Sequence, residues 1–227
     1  PSCGSPLRFQ HAAAPAVVCG SCQSTVVRTD LDELVLRGKV AAFGRDLSPL
    51  RIGTSGRVGN RRFELVGVLR KGRGGVRWNE WFAVYDDGGH AWLGEGHGVL
   101  QLYEDDPQRA ARSAFAQLSP GSAFEAGDRA WVVLEVAEAK VMAAEGSLPF
   151  AVSQDEAWPY ADLRSKDGSR VGTLDGADGD CLLYTGRVVP FSALELEGLR
   201  PITGWSDEVD VNFEGPEVEG SRKLVCP

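Results

Sequence analysis

From Arg51 onward, apolar and polar positions alternate along the chain in short runs, and clusters of turn residues separate the runs. Phe63 to Leu69 is apolar and β-branched, and Val76 to Tyr85 carries Trp78, Trp81, Phe82 and Val84. Val58-Gly59-Asn60 and Asp86-Asp87-Gly88-Gly89 punctuate these runs as hairpin turns do. Upstream, Ala16-Val17-Val18 leads as a short strand into Cys19-Gly20-Ser21-Cys22, and Thr25-Val26-Val27 leads out of it. One segment has helical spacing instead. Ala111, Ala114, Phe115 and Leu118 follow Asp106 as a candidate N-cap and Pro107 at the first helical position, predicting one short helix over 107–118.

Two stretches share a grammar. Gly59-Asn60-Arg61-Arg62-Phe63-Glu64-Leu65-Val66-Gly67-Val68 parallels Gly127-Asp128-Arg129-Ala130-Trp131-Val132-Val133-Leu134-Glu135-Val136. Trp81-Phe82-Ala83, Asp87-Gly88 and Leu93 parallel Trp158-Pro159-Tyr160-Ala161, Asp167-Gly168 and Leu174. The expectation is a mainly β fold: a ribbon, then two related, strongly bent antiparallel β-units of SH3-like or small-barrel type. Its divisions are 1–29 ribbon, 30–50 connector, 51–106 first unit, 107–120 linker helix, 121–200 second unit and 201–227 acidic tail.

Composition narrows the function classes. The chain has 227 residues and a net charge of −8, which disfavours specific nucleic-acid binding because phosphate backbones select basic faces. No run of about 18 apolar residues is present, so no membrane-spanning helix is expected. Eight carboxylates between Glu195 and Glu219 face the single Arg200, a pattern that reads first as a solvated tail and second as a strip for a basic partner.

The cysteines point to metal. Cys3, Cys19 and Cys22 have knuckle spacing, and thiolates two residues apart grip a tetrahedral ion from a tight turn. A structural zinc is expected, with its fourth ligand just upstream of Pro1; His11 is a weaker substitute. The opening Pro1-Ser2-Cys3-Gly4 and the closing Cys226-Pro227 both look like interrupted knuckles, so further copies of the module are expected in the intact protein. Cys181 beside Leu182 and Leu183 reads as a small buried apolar residue. Metal rather than disulfide spacing points to a reducing, cytoplasmic compartment.

Among the aromatics, Trp78 and Trp81 are an odd number apart and face opposite sides of a strand. One is expected in the core and the other partly exposed. Trp81, Trp92, Trp158, Tyr160 and Asp162 are the candidate binding residues, since aromatic faces beside carboxylates grip aliphatic or cationic ligands. Core packing is the competing role for each tryptophan. His90 and His97 read as surface hairpin residues, and Arg70-Lys71-Gly72-Arg73-Gly74-Gly75-Val76-Arg77 as a solvated hairpin tip. No nucleophile elbow, phosphate-binding loop or metalloprotease helix is present in the sequence.

Gly53-Thr54-Ser55-Gly56-Arg57-Val58, Asn79-Glu80-Trp81-Phe82-Ala83-Val84-Tyr85-Asp86-Asp87-Gly88, Ala91-Trp92-Leu93, Ala144-Glu145-Gly146-Ser147-Leu148-Pro149-Phe150, Tyr160-Ala161-Asp162-Leu163 and Leu183-Tyr184-Thr185-Gly186-Arg187, behind a zinc ribbon, resemble the bacterial domain of unknown function 4178. The resemblance implies ribbon and domain in tandem, and bacterial neighbours such as membrane-associated scaffolds and polyamine-synthesis-like enzymes. It carries no catalytic residue set. The expected function is a non-enzymatic adaptor that recognises protein partners, including a membrane-associated scaffold, in a cytoplasmic assembly peripheral to the inner membrane. The alternative is a small-molecule module of polycation or polyamine type, or an accessory enzyme subunit. A deep pocket lined by Trp158, Tyr160, Asp162 and neighbouring acids favours the alternative, and a flat surface favours the adaptor.

Overall fold

The computed structural model describes residues 2–29, 33–43, 48–104, 107–110, 115, 117–126, 129–154, 157–176 and 181–201. Alternation is realised as strands throughout. The N-terminal strands are β1 (Ala16–Val18), β2 (Ser24–Arg28) and β3 (Leu34–Lys39). Then come β4 (Ser55–Val58), β5 (Arg61–Arg73), β6 (Val76–Tyr85), β7 (His90–Gly96), β8 (Val99–Tyr103) and β9 (Gln108–Arg109). The last are β10 (Ala123–Ala126), β11 (Arg129–Leu148), β12 (Ala157–Ser165), β13 (Val171–Asp175) and β14 (Leu182–Val189), followed by a 3-10 turn over Phe191–Leu194. No helix among the described residues is long and apolar enough to cross a membrane.

Eight strands close into a barrel in the order β11-β12-β13-β14-β8-β7-β6-β5, with β5 pairing back onto β11. The ring consists of two meanders of like topology. β5 to β8 correspond to β11 to β14 register for register. Each long strand carries a bulge at an equivalent place, between Leu65 and Gly67 in the first half and between Val133 and Glu135 in the second, and β11 has a further one between Val141 and Ala143 where it meets β5. Lys71 lies opposite Trp78 as Ala139 lies opposite Trp158, and Trp92 lies opposite Tyr103 as Thr173 lies opposite Tyr184. Gly53 and Gly121 both stand at φ +86 and donate to the bulge carbonyls of Leu65 and Val133. Because β5 meets β11 and β8 meets β14, both antiparallel, like strands join like strands at both seams. An internal two-fold axis produces that pairing.

The correspondence corrects one element of the sequence alignment. Trp158 is the counterpart of Trp78, and Trp81 is the counterpart of Ala161. The bulge and the Asp-Gly hairpin set the register, and aromatic identity does not.

Parity along each strand sorts the side chains into separate layers. Trp81, Ala83, Leu93 and Leu102 point away from the barrel lumen into a core with Leu50 and Leu194. Trp131, Ala161, Leu163, Leu174 and Leu183 do the same on the other half, around Cys181. A third core, with Leu69, Phe82, Val141 and Leu148, joins the barrel to Ala16, Val18 and Val40 of the N-terminal region. β3-β2-β1 extends the barrel sheet through the β1–β11 pairing, so Leu34–Lys39 is a strand of the ribbon sheet.

The β5–β11 seam depends on glycine. Gly146 stands at φ +79, and a Cβ there would overlap the Val66 carbonyl oxygen; a Cβ on Gly67 would overlap that of Ser147.

Two expectations are overturned. Where a helix was predicted over 107–118, Gln108–Arg109 is a strand paired with Leu182 and Leu183 of β14; sheet pairing overrides the local helical pattern. Residues 111–114 and Asp106 lie outside the described residues, as do 202–227 with Cys226. The basic hairpin tip is also not wholly solvated, because Lys71 is 5% exposed and points into the barrel.

Candidate functional site in the barrel lumen

The lumen holds a cavity of about 580 Å³, and all eight barrel strands contribute to its lining. Pockets of a few hundred cubic ångströms suit small organic ligands. The cavity exists because the inward residues are mixed in size and polarity. Apolar inward residues such as Leu69 and Phe82 fill one end, while charged and aromatic side chains line the rest around open space.

Lys71 is the pivot of the charged lining. Its Nζ lies 3.0 Å from Glu80 Oε2 and 3.1 Å from Asp175 Oδ2, and 4.3 Å from the centre of the Trp158 ring. Burial works against the ammonium, and the charges of Glu80 and Asp175 outweigh it, so its pKa is raised and the proton stays. Toward the hairpin, Arg73 pairs with Glu135, which also accepts a hydrogen bond from the Tyr160 hydroxyl at 2.8 Å. Those two donors hold Glu135 below the usual carboxylate range. Burial, with help from Glu135, pushes the Tyr160 phenol up to about 12.

Asp162 differs from the other acids. Burial first, and then the charge of Glu135, push its carboxyl up to about 6, although Thr173 donates a hydrogen bond to it. It therefore changes charge near neutrality. Glu80, Glu135, Asp162 and Asp175 face only Lys71 and Arg73 among the lysines and arginines of the lining, so the lumen is net negative when all are ionised.

Aromatic faces complete the walls. The Trp78 indole donates to Glu80 Oε1 at 2.9 Å, and its ring centre lies 5.8 Å from that of Tyr160. On another side Phe150 bridges Trp92 and Trp158, with centroids 5.9 Å and 5.5 Å away. The Trp158 indole N–H is buried and has no hydrogen-bond partner among the described residues. Tyr103 and Tyr184 occupy equivalent positions in the two halves and both line the cavity. Burial raises both phenols, Tyr184 to about 12.

Of the binding residues named from sequence, Trp92, Trp158, Tyr160 and Asp162 line this one cavity. Trp81 does not. It is 1% exposed in the outer core, where its indole donates to Glu95 Oε2 at 2.9 Å. His97 stands at the cavity rim, and His90 is an exposed residue whose ring lies against Phe82. Sequence reasoning missed Lys71, Glu80, Asp175, Tyr103 and Tyr184. Lys71 was findable: it shares strand parity with buried Leu69, two residues before it.

Residues 51–191 match the family model described as a domain of unknown function, DUF4178. The chain belongs to this family. No curated protein and no solved structure gives a significant match. The matched span of the DUF4178 domain includes every strand of the barrel. Its segments on which the resemblance rested supply the cavity: Glu80 from one, Trp92 from another, Phe150 from the seam segment, and Tyr160 and Asp162 from a fourth.

The cysteine cluster lies outside the matched span. Cys19 follows β1 and Cys22 precedes β2, so the hairpin turn between them presents both thiols, and Cys3 joins from the N-terminal segment. The three Sγ atoms lie within 4.8 Å of one another, and those of Cys3 and Cys19 are 3.7 Å apart. The Ser24 side chain and backbone lead in lowering the Cys22 thiol to about 5, which leaves it a thiolate. Soft donors this close fit a metal ion. Neither His11 nor any other described residue adds a fourth ligand to the cluster. The N-terminal sheet that carries the cysteines is tied to the cavity wall, because buried Thr25 donates to the Val152 carbonyl at 2.9 Å, two residues beyond Phe150.

Proposed function

We propose that the barrel is a binding protein for a small organic amine, held in the lumen between aromatic faces and carboxylates. The observation that carries this reading is the convergence of Trp78, Trp92, Trp158, Tyr160 and Asp162 on one net-negative cavity. Indole and phenol faces attract an ammonium by about 1–2 kcal/mol each when water is excluded, and carboxylates add charge. The lining supports binding rather than catalysis, since it supplies cage chemistry. Isothermal titration of the full chain with n-butylamine, spermidine, n-butanol and butyrate tests it. Binding of an amine in preference to the alcohol and the acid is expected; equal or absent binding of all four overturns the reading.

The protein-recognition reading keeps one specific support. Leu34 and Leu36 are 60% and 56% exposed on β3, the last strand of the sheet, where backbone groups are available to a partner. Under that reading the chain is an adaptor in a membrane-proximal bacterial assembly. Recovery of the tagged protein from native cells with a stoichiometric partner, lost on Leu36→Lys, supports it.

For the cysteine cluster we propose zinc as the ion, because three thiolates satisfy its preference and complete the knuckle with one further donor. Metal analysis of the purified protein is expected to give one zinc per chain and none after Cys19→Ser and Cys22→Ser.

A further inference from the structure

The two halves of the barrel place an indole at equivalent positions in the lumen, Trp158 and Trp78, and the lysine of the lining stands over only one of them; Arg73, the other cation of the lining, pairs with Glu135. Lys71 extends from β5 to the face of Trp158 on β12. Its counterpart on β11 is Ala139, opposite Trp158 as Lys71 is opposite Trp78. The two-fold mate of the Lys71–Trp158 pair is therefore Ala139–Trp78, in which a methyl group replaces the lysine side chain. Ala139 and Trp78 both line the cavity. Around that second indole stand Tyr160, with its ring centre 5.8 Å from that of Trp78, and Glu80, which accepts the indole N–H. Asp162 is the next inward residue on the same strand after Tyr160.

We infer that the ligand's ammonium sits on the Trp78 indole beside Ala139, with Tyr160 and Asp162 next to it, at the two-fold equivalent of the position that Lys71 takes on Trp158. This rests on the amine-binding reading and narrows it. Lys71 shows what the lumen does with a primary ammonium: it seats it on an indole face between two carboxylates. At the second indole the counterparts of Glu80 and Asp175 are Tyr160 and Gly94, so the carboxylates that the lining offers the ligand there are Glu80 and Asp162. With Lys71 already present, a second ammonium on the same ligand meets a fixed positive charge, so a monoamine with an apolar body is preferred over a diamine of equal length. The apolar body finds Trp92 and Phe150.

The test uses the full chain labelled with 5-fluorotryptophan and followed by fluorine NMR, with n-butylamine and 1,4-diaminobutane as probes. The Trp78 and Trp158 resonances are assigned by single replacement with phenylalanine. With n-butylamine, the Trp78 resonance is expected to shift while Trp158 stays in place, and the diamine is expected to bind at least tenfold more weakly. Asp162→Asn, close to isosteric, is expected to weaken n-butylamine at least tenfold. A shift at Trp158 with Trp78 unmoved, or a diamine that binds as tightly as the monoamine, overturns the assignment and leaves amine binding intact. Absence of binding by either amine overturns the amine-binding reading, and this inference falls with it.

Discussion

At the scale of single residues, the lumen is governed by the cost of burying charge. Lys71, Glu80 and Asp175 are tolerable together because each offsets the desolvation of the others. Replacing one member leaves the remainder uncompensated, so Lys71→Met is expected to cost about 3–5 kcal/mol in urea unfolding. Asp162 gives a signed pH dependence. Its folded pKa is raised from 3.8 to about 6, so the folded chain holds a proton that the unfolded chain has lost between those values. Its contribution therefore makes stability fall as pH rises through that window, by an amount on the order of 3 kcal/mol. Comparing urea unfolding of the native protein and Asp162→Asn from pH 4 to pH 7.5 checks this. The variant is expected to gain relative stability up to about pH 6 and then level off. Trp78 and Trp81 illustrate what strand parity alone tells a reader. Opposite faces follow from the spacing, but which face is lumen and which is outer core is decided by the closure of the strands into a ring, which nothing local announces.

Strands and their seams carry the next level. β5 and β11 pair only because Gly67 and Gly146 allow the two backbones to approach. Gly146→Ala adds an L side chain at positive φ and a clash with the Val66 carbonyl, and is expected to cost about 2–4 kcal/mol by strain and overpacking together. Thermal denaturation measures it; a change below about 0.5 kcal/mol means that the seam relaxes and the glycine is incidental. Thr25 offers a second check. Thr25→Val removes the donor to the buried Val152 carbonyl at similar volume, with an expected loss of about 1–3 kcal/mol. The repeat grammar was readable in the turn residues, since Gly59, Asp87-Gly88, Asp167-Gly168 and their neighbours place hairpins in both halves. The strand at Gln108–Arg109 was not readable. Its local sequence has helical spacing, and its pairing partner is 73 residues away in sequence at Leu182.

The whole molecule combines a barrel with a cysteine-bearing sheet on one shared surface. β1 pairs with the end of β11, and the third core spans both parts, so the hairpin that presents Cys19 and Cys22 rests on the barrel through packed side chains. Treatment with a chelator, which would strip the zinc proposed for the cluster, is expected to raise amide exchange in β1–β3 and to leave β12 and β13 protected. Exchange that rises equally across the barrel means the two parts unfold as one cooperative unit. Ligand binding belongs to this scale as well, because the lumen draws side chains from both halves. An amine that needs ionised Asp162 is expected to raise the melting temperature at pH 7.5 and to lose most of that effect at pH 5, read by thermal shift at fixed ligand concentration.

By itself the sequence determined what depends on neighbours along the chain. Period-two alternation set the strands, Gly and Asp set the hairpins, two-residue spacing paired Cys19 with Cys22, and the common turn grammar disclosed the duplication. These are local because strand parity, turn dihedrals and chelate geometry are each decided within a few residues. Tertiary structure alone decided that the halves close into one ring instead of two separate units. It also placed Lys71 inside, against Glu80 and Asp175, and set Tyr103 and Tyr184 as counterparts in one lumen. Those outcomes depend on which strand edges meet, and that choice is made by close backbone approach and by the shared burial of residues more than a hundred positions apart.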